Sequence, residues 1–304
     1  MRYRRLGKTD LRVSVIGLGT WQFGGEWGKD FTQDEVDAIL GCALEQGINL
    51  IDTAECYGDH LSEALIGSYL SRHRRDDFLI ATKFGHGYSG RFERMQLWTA
   101  QDVQKQIEAS LRALQTDYLD LYQFHSGADA YFDQDDLWTM LDKQKQAGKI
   151  RHIGTSIGSN DNLHQTAMSS HYGVEAIQVV YNRLDQKPEE RVFPSCQAQD
   201  LGVLARVPLA SGYLSGKYTP GAKFDEKDVR HRHDAESTYQ KLVTVAKIKE
   251  EELPEGMDMA TYALTWCLRH PAVSTVIPGC KNPEQVIANA QAADFLGDHP
   301  QDIL

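Results

Sequence analysis

Paired cysteines are missing from this sequence. Its five cysteines are odd in number, lie far apart and include no C-x-x-C pair; they are Cys42, Cys56, Cys196, Cys267 and Cys280. Neither a disulfide framework nor a zinc site of the usual spacing is indicated by this pattern. Because reduced thiols are typical of the cytoplasm, we expect a cytoplasmic protein.

Positive charge and long apolar runs are also scarce. The sequence has 32 Lys and Arg residues against 43 Asp and Glu residues, which gives a net charge of -11. Nucleic-acid and anionic-membrane binders usually present a basic face. No stretch approaches the roughly 20 apolar residues that span a bilayer, and no apolar segment follows the basic N-terminus as in a signal peptide. We therefore expect neither partner, while a local basic pocket for phosphate stays compatible with the charge.

What the sequence has is an alternation of short β-rich runs and amphipathic helices, which follows an opening hairpin-like stretch. This alternation is typical of a parallel sheet. Eight such units without an interdomain linker predict an α/β fold, a single (β/α)8 TIM barrel over residues 1–304 with a short N-terminal β-hairpin that closes its bottom. The predicted barrel strands are 15–18, 48–51, 78–82, 118–124, 150–154, 176–180, 203–207 and 274–277.

Local signals mark the ends of the helices. Thr32 and Glu35 have the spacing of a capping box, an apolar stripe follows them, and Gly47 is a C-terminal stop. Thr99 predicts the start of another helix. Two irregular segments, 85–98 and 209–236, follow predicted strands. In a barrel they become loops on the C-terminal face, where long loops usually bind ligands.

Polar residues stand where three successive predicted strands end. Asp52, Lys83 and His125 each lie at such a position, and Tyr57 lies in the loop after Asp52. The carboxyl ends of parallel strands meet at one rim of a barrel, so these side chains should converge there. Taken singly, each suits a structural role such as a turn cap or a buried ion pair. Taken together at successive strand ends, they favour catalysis.

These residue types suit the reduction of a carbonyl group. Hydride addition needs a proton donor, and a phenol with an ordinary pKa of about 10 is a weak acid near neutrality. The ammonium of Lys83, kept charged by Asp52, should lower the pKa of Tyr57 by roughly 1 to 3 units. His125 can hydrogen-bond to the substrate oxygen and orient the carbonyl. We expect this chemistry to need no metal.

The segments IDTAECYG, TKFG and QFH resemble signature segments of the aldo-keto reductase superfamily, and the similarity extends over nearly the whole chain. The resemblance is to bacterial members, which are related in fold to the potassium-channel β subunits. It implies a barrel enzyme that passes hydride from a nicotinamide cofactor to an aldehyde or ketone. Its four catalytic positions fall on Asp52, Tyr57, Lys83 and His125. A small carbonyl compound or alcohol is then the expected partner, and an oligomer is compatible with the family.

The resemblance also assigns the cofactor contacts. The run GLGTWQFGG is not a G-x-G-x-x-G fingerprint, because no helix is expected before Thr32; it matches the family's first loop, near the nicotinamide. Asn282 and Pro283 predict a helix start beside Lys281, which suits phosphate and favours NADPH/NADP+ over NADH. The implied cofactor-binding residues are Gly19, Thr20, Trp21, Asp52, Ser156, Gln178, Arg206, Pro208, Leu209, Ser211, Gly216, Lys217, Gly279, Lys281, Gln285 and Asn289.

Three residues depart from the family pattern. Ile157 stands where many members have an Asn, which leaves Ser156 to hold the nicotinamide amide alone or with help. Arg206 stands where many members place an aromatic ring under the nicotinamide. Tyr181 and Trp21 are the two candidates to replace that ring. Ala288 stands where a Glu is common.

The main expectation is an NADPH-dependent reductase, and two alternatives stay open. One is an NADPH-sensing regulatory subunit with little turnover. The other is a different barrel enzyme, which needs a metal or a Schiff-base lysine; Asp52 would keep Lys83 protonated and a poor nucleophile. The run from His231 to Asp234 lacks a second group of metal ligands. We expect Trp21, Tyr57 and the loops after Phe84 and near Trp98 to line the substrate pocket, which suits an apolar or a sugar-like compound.

Overall fold

The computed structural model describes residues 1–297 and 302–303. Its strands are β1 (Tyr3–Arg5), β2 (Arg12–Ser14), β3 (Leu18–Gly19), β4 (Leu50–Asp52), β5 (Leu79–Phe84), β6 (His86–Gly90), β7 (Glu93–Gln96), β8 (Leu119–His125), β9 (Ile150–Ser156), β10 (Ala176–Val180), β11 (Gly202–Arg206), β12 (Thr275–Val276) and β13 (Asp302–Ile303). Its α-helices are α1 (Gln33–Glu45), α2 (Leu61–Leu70), α3 (Ala100–Leu114), α4 (Asp129–Phe132), α5 (Asp135–Gln146), α6 (Leu163–Met168), α7 (Val192–Gln199), α8 (Ala235–Glu251), α9 (Met259–Leu268) and α10 (Pro283–Ala290).

Eight parallel strands form the barrel. They lie in the order β12-β11-β10-β9-β8-β5-β4-β3. The two edges meet through isolated parallel bridges that join Ile16 to Val276 and Gly19 to Gly279. The amide of Gly17 donates to Val276 O at 2.8 Å there. The predicted (β/α)8 fold is confirmed, and its first strand is shorter and later than the predicted 15–18 because single bridges replace a continuous ladder there.

The N-terminal hairpin closes the bottom of the barrel, as predicted. Strands β1 and β2 pair antiparallel, and β13 pairs with the other edge of β1. Leu6 and Val13 are fully buried and cluster with barrel residues that include Leu121. Gly7 lies so close to β11 that a Cβ atom on it would come within 2.0 Å of Gly202 N. A larger residue at position 7 would therefore push the hairpin off the barrel.

The predicted helix ends are confirmed at three places. The Thr32 hydroxyl accepts from Glu35 N at 3.3 Å and the Glu35 carboxylate accepts from Thr32 N at 2.9 Å, which is a complete capping box. Thr99 caps α3. Asn282 caps α10 and accepts from Gln285 N at 3.0 Å. These caps hold the first and last helices at the rim where the barrel strands end.

The two irregular segments follow barrel strands β5 and β11, as expected of C-terminal loops. Segment 85–98 differs from a plain loop because it holds the antiparallel hairpin β6–β7. Segment 209–236 holds the 3-10 turns Ala210–Ser215 and Val229–Arg232. A further 3-10 turn spans Trp21–Gly24, so the expectation of no helical turn before Thr32 holds only for α-helices. No helix in the described part of the chain is long and apolar enough to cross a membrane.

Candidate active site

The predicted strand-end residues converge at the C-terminal rim of the barrel. Asp52 ends β4, Lys83 lies one residue before the end of β5, and His125 ends β8. These strands are neighbours in the sheet, and Lys83 is in register with Gln123 on β8. Tyr57 reaches the same place from the loop after β4. Three adjacent strands therefore bring together residues that lie far apart in the sequence.

The ammonium of Lys83 uses all of its hydrogens. Lys83 is 1% exposed, and its Nζ donates to Asp52 Oδ1 at 2.7 Å, to Thr53 O at 2.6 Å and to Tyr57 Oη at 3.3 Å. An ammonium carries three N–H donors, so none is left. Because the Tyr57 oxygen accepts from Lys83, its own hydrogen is available to a group in the cleft.

The carboxylate of Asp52 is held on both oxygens. Its Oδ1 accepts a hydrogen bond from Lys83 Nζ, and its Oδ2 accepts from Gln178 Nε2 at 2.7 Å and from Gln123 Nε2 at 3.1 Å. Gln178, which the family resemblance assigns to the nicotinamide, thus contacts Asp52 in this structure. Gln123 is a site residue that sequence reasoning missed. Its signal was its place two residues before His125 on the same strand, since alternate residues share a face.

Burial and charge keep the phenol protonated and the lysine charged. Burial raises the pKa of Tyr57 to about 12, even though the nearby Lys83 lowers it. The expectation of a lowered pKa is therefore wrong for this structure. Burial destabilises the phenolate form of Tyr57 more than the nearby Lys83 ammonium stabilises it. Burial opposes the charge on Lys83 as well, but Asp52 raises its pKa above the ordinary value.

His125 is neutral at the edge of the cleft. Burial, with the charge of Lys83 next in effect, lowers its pKa well below the usual range. Its ring stands nearly perpendicular to that of Tyr57, with the centroids 6.1 Å apart. Its Nδ1 atom lies 3.8 Å from both Cys56 Sγ and Glu55 Oε2. A neutral imidazole offers one N–H donor, which suits a carbonyl oxygen.

A cleft of about 760 Å³ opens above these groups. Most of the predicted residues line it; they are Gly19, Thr20, Trp21, Asp52, Tyr57, His125, Gln178, Arg206, Pro208, Leu209, Ser211, Lys217, Gly279, Lys281, Gln285 and Asn289. Lys83, Ser156 and Gly216 are not among the lining residues. Lys83 lies behind Tyr57, and the Ser156 hydroxyl is buried 3.5 Å from Gln178 Oε1. The cofactor contacts of the predicted residues all stay predictions, including those of Ser156 and Gly216.

Glu26 joins two loops across the mouth of the cleft. This residue is 1% exposed. Its carboxylate accepts one hydrogen bond from the guanidinium of Arg94, on β7, at 2.6 Å and another from the indole N–H of Trp21. His86 and Arg94 line the cleft from the β6–β7 hairpin, whereas Trp98 is buried and does not. Sequence reasoning missed Glu26 and Arg94 because they lie 68 positions apart, in two segments without a recurring motif.

A basic group lines the far end of the cleft. Lys217, Arg230 and Lys281 lie there in a chain of net charge -11, and Arg230 is paired with Asp228 at 2.6 Å. Lys281 donates from Nζ to Trp27 O at 2.8 Å and stands just before the start of α10. Burial, with the charge of Arg230 next, lowers the pKa of Lys281. An anion bound there would relieve this repulsion and would meet the positive end of the helix dipole.

Arg206 is a half-buried cation in the floor of the cleft. Its Nη2 donates to Ile157 O at 3.3 Å, and its buried Nε has no partner within the described residues. Of the two aromatic candidates, Trp21 borders the cleft and stacks on Tyr57 with the centroids 6.0 Å apart. Tyr181 packs against Phe193 instead and is not among the cleft residues. Trp21 is thus the candidate that the cleft supports.

The chain is similar to known proteins over most of its length. The model of the Aldo/keto reductase family matches residues 15–301. Two curated relatives from Bacillus subtilis are similar: "Uncharacterized oxidoreductase YqkF", 31% identical over 97% of this chain and 92% of the relative, and "Aldo-keto reductase YhdN", 30% identical over 95% and 87%.

Two solved structures share the fold. The "aldo-keto reductase AKR11C1 from Bacillus halodurans (holo form)" is 31% identical, with a TM-score of 0.81 over 97% of this chain and 92% of that one. The "glycerol dehydrogenase AKR11B4 from Gluconobacter oxydans" is 27% identical, with a TM-score of 0.83 over 98% and 91%.

Proposed function

This chain belongs to the aldo/keto reductase family, and on that premise we propose that it reduces an aldehyde or a ketone to an alcohol with NADPH. The observation that carries the proposal is the contact of Lys83 with Tyr57. It leaves a protonated phenol whose hydrogen is available to the cleft. Such a group is the proton donor that carbonyl reduction needs.

Each residue of the site has its own role in the proposed reaction. The bound nicotinamide supplies the hydride. Tyr57 donates its proton to the carbonyl oxygen, so that its O–H bond breaks as the O–H bond of the alcohol forms. The negative charge left on the phenol oxygen lies 3.3 Å from the Lys83 ammonium, which stabilises it. Asp52 holds that ammonium, and neutral His125 donates a hydrogen bond that orients the carbonyl.

The residues of the cleft fit a dinucleotide. Its volume lies within the range of about 300–1,000 Å³ that is usual for ligand sites. It is lined by Arg206, whose Nε has no hydrogen-bond partner among the described residues, and by the basic group of Lys217, Arg230 and Lys281. Lys281 beside the start of α10 suits a 2'-phosphate, which favours NADPH over NADH.

The substrate end favours a small hydroxylated compound. Near Tyr57 and His125 the cleft presents the aromatic face of Trp21 together with the polar groups of His86 and Arg94. An aromatic wall with nearby donors suits a sugar-like carbonyl compound, which presents both C–H faces and hydroxyl groups. The similarity to a protein named as a glycerol dehydrogenase agrees with this choice.

The test is a panel of aldehydes, ketones and polyols, each assayed with NADPH and with NADH. We expect turnover with NADPH and a preference for NADPH over NADH. Lys281→Ala should weaken this preference, because it should raise the Kd for NADPH at least about tenfold without a matching change for NADH. Lys143→Ala, on the exposed side of α5, is the matched control. Tight binding of NADPH without turnover of any substrate would instead support a sensing subunit, and the absence of binding would contradict both functions.

A further inference from the structure

The β6–β7 hairpin forms one wall of the cleft beside the predicted catalytic residues. Arg94 on β7 and His86 on β6 both line the cleft. The ring centroid of His86 lies 5.2 Å from that of His125, and Arg94 bonds to the side chain of Cys56, next to Tyr57. A substrate with its carbonyl group at Tyr57 and His125 would therefore lie against this wall.

Glu26 holds Arg94 from behind and is itself fixed by three segments. Its Oε1 accepts from Arg94 Nη2 at 2.6 Å and from Phe92 N at 3.2 Å, and its Oε2 accepts from the indole N–H of Trp21. Its backbone oxygen accepts from Val229 N at 3.0 Å. In the ion pair the side chain of Glu26 is 2% exposed and that of Arg94 is 18% exposed. The carboxylate is therefore the hidden member of the pair, and the guanidinium is the member that faces the cleft.

The Glu26 carboxylate cancels the charge of Arg94 at this wall. A guanidinium has five N–H donors, so the paired Arg94 still offers donors to the cleft but no net charge. The neighbouring groups do not replace that charge. Burial lowers the pKa of His86, so its ring is neutral near pH 7, and Lys83 is paired with Asp52 at 2.7 Å.

We propose that Glu26 determines substrate specificity through Arg94, so that the cleft selects uncharged carbonyl compounds over those that carry a carboxylate. This inference rests on the proposed reduction and narrows its substrate class. An unpaired guanidinium at this wall would bind a substrate carboxylate through charge-assisted hydrogen bonds, which are roughly twice as strong as neutral ones. With Glu26 in place, such a carboxylate meets an ion pair without net charge. It would lose its hydration without gaining a counter-ion.

The test compares two aldehydes that differ in charge but hardly in shape, 4-carboxybenzaldehyde and its amide. The full chain is assayed with NADPH, and the measured quantity is the ratio of kcat/KM for the acid to kcat/KM for the amide. We expect Glu26→Gln to raise this ratio at least about tenfold, because glutamine keeps the shape of Glu26 but frees the charge of Arg94. Glu93→Gln is the matched control, since it removes the same charge from an exposed position on the same hairpin.

Two further variants trace the effect to Arg94. The addition of Arg94→Met to Glu26→Gln should return the ratio to within about twofold of the wild-type value. Arg94→Met alone leaves the Glu26 carboxylate unpaired, so it should lower the ratio at least about threefold, and it decides the matter if Glu26→Gln does not fold. A general loosening of the wall would change kcat/KM for both aldehydes alike and would leave the ratio unchanged. Arg206, the other cation of the cleft floor, is present in every variant.

Four results would overturn the proposal. They are a wild-type protein that prefers the acid to the amide, equal ratios in Glu26→Gln and Glu93→Gln, a raised ratio that persists in the double variant, and an unchanged ratio in Arg94→Met. The Kd values of the product alcohols, 4-(hydroxymethyl)benzoate and its amide, give the same comparison on NADPH-loaded protein without turnover. A shifted binding ratio in Glu26→Gln without turnover of either aldehyde would contradict the proposed reduction but support the role of Glu26.

Discussion

Lys83 Nζ donates a hydrogen bond to Tyr57 Oη at 3.3 Å, while two shorter bonds hold the same ammonium on Asp52 Oδ1 and Thr53 O. The direction of this bond decides the chemistry. A charged lysine has no acceptor, so the phenol that accepts a hydrogen bond from Lys83 cannot donate one back to it. The proton of Tyr57 is therefore available to a group in the cleft.

Replacement of Tyr57 by Phe removes this proton donor and leaves the ring. We expect the rate of carbonyl reduction to fall by about 10² to 10⁴, the usual contribution of a general acid, while the Kd for NADPH changes less than about twofold. Single-turnover rates and nucleotide titration by fluorescence measure the two effects. A variant that keeps more than about a tenth of the rate would show that another group donates the proton.

The raised pKa of Tyr57 predicts opposite pH profiles for the two reaction directions. Burial raises this pKa to about 12, so the phenol is protonated, and competent as an acid, throughout the neutral range. We expect kcat/KM for reduction to be flat from pH 6 to about pH 9. Oxidation of the alcohol needs the phenolate as base, so its rate should rise with pH over the same range.

These profiles are measured with one carbonyl substrate and its alcohol in buffers of constant ionic strength. A reduction rate that falls with an apparent pKa near 7 would contradict the raised pKa of Tyr57. In that case the positive charges of the loaded site outweigh the burial of the phenol.

Much of the fold could be read from the sequence because its signals are local. The capping box of Thr32 and Glu35 and the cap at Asn282 are fixed by residues three positions apart. The convergence of Asp52 and His125 follows from parallel strands alone. The contact of Glu26 with Arg94 could not be predicted, because it depends on how the loop after β3 and the β6–β7 hairpin fold toward each other. The pKa of Tyr57 was predicted in the wrong direction because the sequence reveals the charged neighbour but not the depth of burial.

Removal of the Lys83 charge should destabilise the protein through Asp52. Both side chains are nearly fully buried, so Lys83→Met leaves a carboxylate without its counter-ion. The loss of one partner from a buried ion pair costs about 3–5 kcal/mol of the free energy of unfolding. Urea denaturation measures this cost. Addition of Asp52→Asn to Lys83→Met should recover part of it, and a double variant no more stable than the single one would contradict this cause.

Replacement of Arg206 by Met tests the charge in the floor of the cleft. Arg206 is half-buried, its buried Nε lacks a partner within the described residues, and it lies near enough to Tyr57 and Asp52 for their charges to act on its pKa. The family resemblance implies that the nicotinamide lies next to Arg206, and there the oxidised ring carries a positive charge that the guanidinium repels, whereas the reduced ring is neutral. The wild-type protein should therefore bind NADPH more tightly than NADP+.

The Met variant should lose this preference, because it keeps an unbranched chain without the charge. We expect the ratio of the Kd for NADP+ to that for NADPH to fall by about three- to tenfold, a like-charge repulsion of roughly 0.7–1.4 kcal/mol. The ratio cancels any general weakening from lost packing or lost phosphate contacts. Arg206→Lys keeps the charge and is the matched control. Equal ratios in the wild-type protein and the Met variant would mean that the guanidinium lies too far from the ring to act on it.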